Sequence, residues 1–368
     1  MKQLRVLLAT AALALALPLA ACGTSQQAAS DNNSSTSTVQ ESTTPAAEVE
    51  DVEQRTVYVS PAWADAAING KVDGYSDVLV AQVLYDDSDL STYNEGHIPG
   101  AIVVTDVDVE DAVGDEAQPY NILAPETLEA NLLARGITKD TKVVLYGEDP
   151  SGVARVAYGM IYAGVEDVKI VDGGLDAWKA AGYSTETTTN NPTAATDFGT
   201  QVPAHPEYYT TMADAAEKLE SDDTFKLVSI RSEGEWLGET SGYGYIDRAG
   251  EPDGAVWGKG CDTAFDVNGL VHEDGTIMTL DEIKASTWSD VDFTLDDHLA
   301  FYCGTGWRAS VPFLILYQNG YDNISVYDGG WYEWQMHGEN KVQVGDPSSA
   351  DCVHTTVSEL PTDKAAQA

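Results

Sequence analysis

Along this chain, short continuous apolar runs alternate with longer stretches that carry a single apolar face. The runs at 78–83, 142–146 and 168–171 are rich in Val, Leu and Ile, and their length and composition predict buried strands. The stretches between them read as helices. Pro125 opens one through Leu128, Leu132 and Leu133 that Gly136 stops, with proline in the first turn and glycine just past the end. Residues 152–162 form another, closed by Gly164. Strands alternating with helices predict an α/β fold: a mainly parallel sheet with helices on both faces.

The pattern then repeats. After a Thr-, Asn- and Pro-rich linker at 188–205, Thr211 with Asp214 caps a helix, 225–230 is a strand, and Thr279 with Glu282 caps a further helix. A strand at 299–302, a helix at 309–319 stopped by Gly320 and a strand at 324–327 complete the set. Tyr146-Gly147 aligns with Tyr302-Cys303, Asp172-Gly173-Gly174 with Asp328-Gly329-Gly330, and Trp178 with Trp334. The same 25-residue step separates Gly147 from Asp172 and Cys303 from Asp328. The chain therefore reads as an internal duplication, residues 57–187 and 206–342 with a tail at 343–368, in which one copy has kept a cysteine that the other lacks.

The N-terminus adds an address. Lys2 and Arg5 precede an apolar run at 6–19 that is too short to span a bilayer and reads as an export signal. It ends in Leu19-Ala20-Ala21-Cys22-Gly23, which resembles the lipobox of bacterial lipoproteins. That resemblance implies a lipoprotein signal at 1–22, a lipid on Cys22, and an extracytoplasmic protein anchored to the bacterial membrane. Residues 23–56 hold almost no large apolar side chain and read as a disordered tether.

Sixty acidic residues against nineteen basic ones leave a formal charge of −41, which repels nucleic acid and anionic membrane surfaces. Beyond Cys22, the cysteines are Cys261, Cys303 and Cys352, with neither a CxxC pair nor zinc spacing. No metal or other cofactor is expected. One reactive thiol plus a pair, Cys261 with Cys352, is one arrangement of these three; another brings Cys261 to Cys303.

Cys303-Gly304-Thr305-Gly306-Trp307-Arg308 lies between a buried strand and a helix, where ligands collect in α/β sheets. Two glycines let the backbone curl so that successive N–H groups point inward, and the helix start adds partial positive charge. Such a loop stabilises an anion, here a Cys303 thiolate, provided that an opening leads to the sulfur.

Around this loop the residues resemble the two-domain rhodanese-type sulfurtransferases. Tyr93-Asn94-Glu95-Gly96-His97-Ile98-Pro99-Gly100-Ala101 is similar to the family's N-terminal signature, and Tyr327-Asp328-Gly329-Gly330-Trp331-Tyr332-Glu333-Trp334 to its C-terminal one. Pro119-Tyr120 and the segment from Arg231 to Gly238 also resemble tandem members. The resemblance implies two rhodanese-like domains, the first inactive at Gly147. It also implies a double displacement in which the Cys303 thiolate takes the outer sulfur of thiosulfate or 3-mercaptopyruvate and passes it to a thiol or cyanide. Both donors are anions, so a cation belongs near the loop. Arg231 matches the family's arginine after the first strand of the second domain; Arg248 and Arg308 are further candidates.

The Cys-Gly-Thr-Gly composition is closer to the mercaptopyruvate branch. That branch implies a relay of Thr305, His97 and Asp86, although a histidine in a Gly-His-Ile-Pro-Gly turn also has a structural use. Ser229, the segment from Gly250 to Ala255 and Trp307 depart from the family pattern and bear on substrate identity. Trp307 has two readings, a pocket wall or a packing residue. Two rival functions remain: a persulfide carrier that does not turn over, and a cysteine phosphatase or arsenate reductase, against which the four residues between Cys303 and Arg308 form too tight a loop for phosphate.

Overall fold

A computed structural model describes residues 49–85, 88–111 and 120–363. Cys22, Asp86 and Pro119 lie outside the described residues. The first sheet contains β1 (Tyr58–Val59), β2 (Val78–Leu84), β3 (Ile102–Thr105), β4 (Lys142–Tyr146) and β5 (Asp167–Val171), in the order β1-β5-β4-β2-β3 with every pair parallel. A second sheet has β6 (Tyr209–Thr210), β7 (Phe225–Ser229), β9 (Val256–Trp257), β10 (His298–Tyr302) and β11 (Ile324–Tyr327) in the order β6-β11-β10-β7-β9, again all parallel. Position for position the two orders are the same, so the repeat seen in the sequence is a repeat of topology.

The helices of the first half are α1 (Pro61–Ile68), α2 (Ser91–Glu95), α3 (Pro125–Ala134), α4 (Pro150–Ala163) and α5 (Gly174–Ala180). Those of the second are α6 (Met212–Ser221), α7 (Glu233–Trp236), α8 (Leu280–Ala285), α9 (Trp307–Gln318) and α10 (Gly330–Trp334). Local chemistry sets their ends. Asp149 accepts from Ser151 N–H and Thr279 from Glu282 N–H at the starts of α4 and α8, while Gly164, at φ 118°, ends α4 in a left-handed conformation that a β-carbon disfavours.

Helices α4 and α9 pack against each other along the seam between the halves. Each lies between a sheet and its opposite number, so each is buried all round: residues 151–161 of α4 and 308–316 of α9 are inaccessible to solvent. Tyr158 meets Phe313 edge-on across the seam at 5.0 Å. Reciprocal backbone contacts reinforce it, with Asp172 accepting from Ile277 N–H and Asp328 from Ile122 N–H, each aspartate reaching a loop of the other half.

Three boundaries differ from the sequence reading. Residues 343–368 are not simply a tail: β12 (Lys341–Val344) pairs antiparallel with β13 (Val353–Thr356) and β8 (Glu251–Pro252), and Val357 and Leu360 are buried in the second half. The linker at 188–205 is packed, with Phe198 in the core, Ala195 N–H donating to Leu133 and Ala204 N–H to Ala163. The end of the expected tether is docked too. Arg55 donates to the Tyr317 and Tyr321 carbonyls and pairs with Asp322, while Lys169 holds the carbonyls of Glu53 and Gln54.

Candidate active site

Cys303 follows the last residue of β10, and Gly306, at φ 92°, turns the chain into α9. The carbonyls of Cys303 and Gly304 are turned toward α10, where they accept from Trp331 N–H at 2.9 Å and Tyr332 N–H at 3.0 Å. Among the described residues, none of the N–H groups of 304–308 donates to a protein acceptor. The loop therefore presents unpaired amides, the arrangement that suits a thiolate or a bound anion. Packing keeps it that way. A β-carbon on Gly330 would come within 2.6 Å of the Cys303 carbonyl, and one on Gly306 within 2.8 Å of Arg155 Nη1.

Arg155 comes from the other half. Its buried guanidinium pairs with Glu110 at 2.6 Å and with Asp328, and donates to the Tyr120 carbonyl at 2.9 Å. The first half thus supplies the cation beneath the cysteine loop of the second. Nothing local in the sequence singles Arg155 out; the position matters only because α4 lies on α9.

A second buried network lies within the second half. Arg231 spends Nε on Glu235, Nη1 on Glu251 and the Gly250 carbonyl, and Nη2 on the Ser241 carbonyl, at 2.6 to 3.1 Å. Arg308 holds both Glu235 oxygens, at 2.9 and 3.0 Å. Burial opposes charge on Glu235, but Arg308 and Arg231 outweigh it and hold the carboxyl down at about 2. Glu251 behaves oppositely: burial dominates over Arg231 and pushes it up to about 7. Tyr302 and Ser229 both donate to Glu251, so the departures at 229 and 251 are two ends of one hydrogen bond.

This corrects the assignment of Arg231 as the donor-binding cation. Its guanidinium is completely buried and its donors are occupied by protein oxygens, so it positions the 241–250 loop and two carboxylates. Arg308 is similarly committed to Glu235, with its Nε buried and unpartnered. Arg248 differs: its carbonyl accepts from Trp331 Nε1 at 2.7 Å, at the start of α10, while its buried side-chain Nε has no partner.

Cys303 itself is completely buried, which corrects the expectation of an opening at the sulfur. The strap at 241–246 explains it. Tyr243 lies so close over Gly304 that a β-carbon there would be 2.3 Å from its ring, and its hydroxyl donates to the Ala264 carbonyl. Tyr245 stacks on Tyr243 at 5.3 Å and packs against Tyr120 and Tyr332. Sequence reasoning missed these tyrosines because the glycine-rich Ser241-Gly242-Tyr243-Gly244-Tyr245 reads as an ordinary turn.

Cys261, Cys303 and Cys352 are free thiols. Cys261 donates to the Ile230 carbonyl and lies 3.5 Å from Arg308, whereas Cys352 sits by Gly345, so the paired arrangement does not form. Burial pushes the Cys261 thiol up to about 12, which keeps it protonated and a poor nucleophile.

The family now follows from comparison: residues 61–181 and 211–337 each match the rhodanese-like domain. The chain belongs to the rhodanese family. Among curated rhodanese relatives it is 41% identical over 256 residues to the thiosulfate sulfurtransferase YnjE of Escherichia coli, covering 69% of this chain but only 57% of that protein. It is 28% identical over 289 residues to a putative thiosulfate sulfurtransferase of Haloferax volcanii, covering 76% and 93% of the two chains. The crystal structure of YnjE superposes with a TM-score of 0.73 at 38% identity, over 79% of this chain and 68% of that one. The anaerobic ergothioneine biosynthesis enzyme of Chlorobium limicola, solved with trimethyl histidine, gives 0.73 at 33% identity, over 81% and 72%.

Within this rhodanese frame the expected relay does not assemble. His97 is stacked on Tyr93 at 3.7 Å, with Nδ1 2.8 Å from the Tyr93 carbonyl and Nε2 3.6 Å from Glu186; every hydrogen bond and ring contact it makes is inside the first half. It braces its own turn. Asp86 is outside the described residues. Trp307 stacks on Tyr85 at 5.3 Å and donates to Glu110 at 2.7 Å, which makes it a packing residue of the seam. At Gly147, the position equivalent to Cys303, a side chain does not fit without movement, since a β-carbon would lie 2.7 Å from Val153 Cγ2.

Proposed function

We propose that this protein is a sulfurtransferase that carries a sulfane sulfur on Cys303, and the observation that carries the reading is the amide-lined loop. The Cys303 thiolate attacks the outer sulfur of the donor. With thiosulfate the S–S bond breaks and sulfite leaves; with 3-mercaptopyruvate the C–S bond breaks and pyruvate leaves after its carbon takes a proton. The acceptor, a thiolate or cyanide, then attacks the outer sulfur of the persulfide and returns the electron pair to Cys303. The loop amides hold the negative sulfur in both states. Thiosulfate is favoured by the names of the curated relatives, mercaptopyruvate by the Cys-Gly-Thr-Gly loop. The lipobox-like residues 19–23 support a location outside the cytoplasm, tethered to the membrane through Cys22.

Arg248 is the proposed contact for the donor's anionic group, because among the described residues no carboxylate pairs with its guanidinium, while Arg231 and Arg308 are bound to carboxylates. Arg248→Ala is expected to raise the donor's KM roughly tenfold with little change in kcat, the pattern of a lost binding contact. Steady-state kinetics with each donor checks this.

A second reading concerns the acceptor. Tyr120, Tyr243, Tyr245 and Tyr332 cluster beside the loop, and aromatic clusters of this kind bind quaternary ammonium groups. The similarity to the Chlorobium enzyme extends that to a trimethylammonium-bearing imidazole as sulfur acceptor. One experiment serves both readings. The full chain is incubated with each donor and weighed intact, then challenged with cyanide, a thiol or trimethyl histidine. The expected result is a gain of a single sulfur that the true acceptor removes; no gain with either donor overturns the proposal.

A further inference from the structure

The two halves differ most where their likeness predicts a cation. Around the Arg155 guanidinium stand Asp328, Glu110, Gly306 and, within electrostatic reach, Tyr209; Ile122, bridged to Glu110, donates its N–H to Asp328. The topological repeat relates these to Asp172, Val271, Pro150, Tyr58 and Ile277. Val271 and Ile277 form the same isolated bridge as Glu110 and Ile122, and Ile277 N–H donates to Asp172. Arg155, eight residues after Gly147, corresponds to Val311, eight residues after Cys303. An arginine and a glutamate have become two valines, and the aspartate remains.

The vacated place is a cavity of about 350 Å³. Asp172 and Tyr58 line it together with Val153, Ile170, Val271 and Ile277. Among the described residues no cation pairs with the Asp172 carboxylate. The Tyr58 hydroxyl is buried and has no hydrogen-bond partner, which in a folded protein calls for an occupant. At the rim, Glu148, Asp176 and Asp274 outnumber Lys179.

We infer that this cavity is a second binding site, which takes a small alkylamine or alkylguanidine in the position that Arg155 fills in the other half. The cationic head donates to the Asp172 carboxylate and the Tyr58 oxygen, and the alkyl chain lies against Val153, Ile170 and Val271. Burial beside apolar walls makes such a pair stronger than a surface one. The site stands apart from the sulfur chemistry at Cys303 and does not depend on it.

The test is calorimetric titration of the full chain with n-butylamine at neutral pH and about 0.3 M salt, where attraction to the acidic surface is screened. Saturable one-to-one binding is expected, weakened about tenfold in Asp172→Asn, whose side-chain oxygen still accepts from Ile277 N–H, and several-fold in Tyr58→Phe. n-Butyrate, equal in length and opposite in charge, is expected not to bind. Absence of saturable binding, equal binding of butyrate, or affinity untouched by both substitutions overturns the inference; Tyr58→Phe carries the test alone should Asp172→Asn fail to fold.

Discussion

Cys303→Ser is expected to lower sulfur transfer by at least about a thousandfold and to abolish the added sulfur in the intact mass. Serine replaces one small buried atom with another, so the melting temperature serves as the control for folding. A hydroxyl at this position has no accessible anion and no affinity for sulfane sulfur, so the loop amides have nothing to stabilise. Transfer that persists in the serine variant would move the chemistry to another thiol. Cys261 is the nearest candidate, and its high thiol pKa argues against it. Loading without turnover in the wild type would instead identify a carrier.

Glu235→Gln is expected to cost about 3–5 kcal/mol of stability, read as a lower urea midpoint. Glu235 is the shared counter-ion of Arg231 and Arg308, and an amide leaves the Arg308 guanidinium buried without a carboxylate and Arg231 with Glu251 alone. The pH dependence follows. Because its carboxyl is held at about 2 against an ordinary 4.5, Glu235 contributes stability that is complete above pH 4.5 and is lost as pH falls toward 2. Glu251, raised to about 7, works the other way: between pH 4.5 and 7 the folded state holds a proton that the unfolded state releases, so stability falls as pH rises through that window. The glutamine variant should therefore lose much of the acid limb of the wild-type curve and keep the decline toward neutrality.

The duplication was legible because it is carried by local features: glycines at helix ends, apolar runs of strand length, and a constant 25-residue step. The loop that carries Cys303 was legible for the same reason, since strand, glycine loop and helix are contiguous. Arg231 was misread because charge can be seen in a sequence and partners cannot. Its partners Glu235 and Glu251 lie 4 and 20 residues away, and only the fold shows that they consume the guanidinium. Arg155 was invisible for a stronger reason: it acts 173 residues away, across a seam that exists only when the two sheets are assembled. His97 was open to both readings, and the fold keeps the structural one, in which the ring anchors its own turn.

The sealed sulfur has a kinetic meaning. On the proposed function, donor and acceptor reach Cys303 only when the Tyr243 strap lifts from Gly304, so the frequency of that lifting would set a ceiling on turnover whatever the speed of the bond exchange beneath it. Between visits the closed strap also excludes oxidants. A thiolate exposed at all times is spent on peroxide and stray disulfides; one uncovered only on demand stays available for its own cargo.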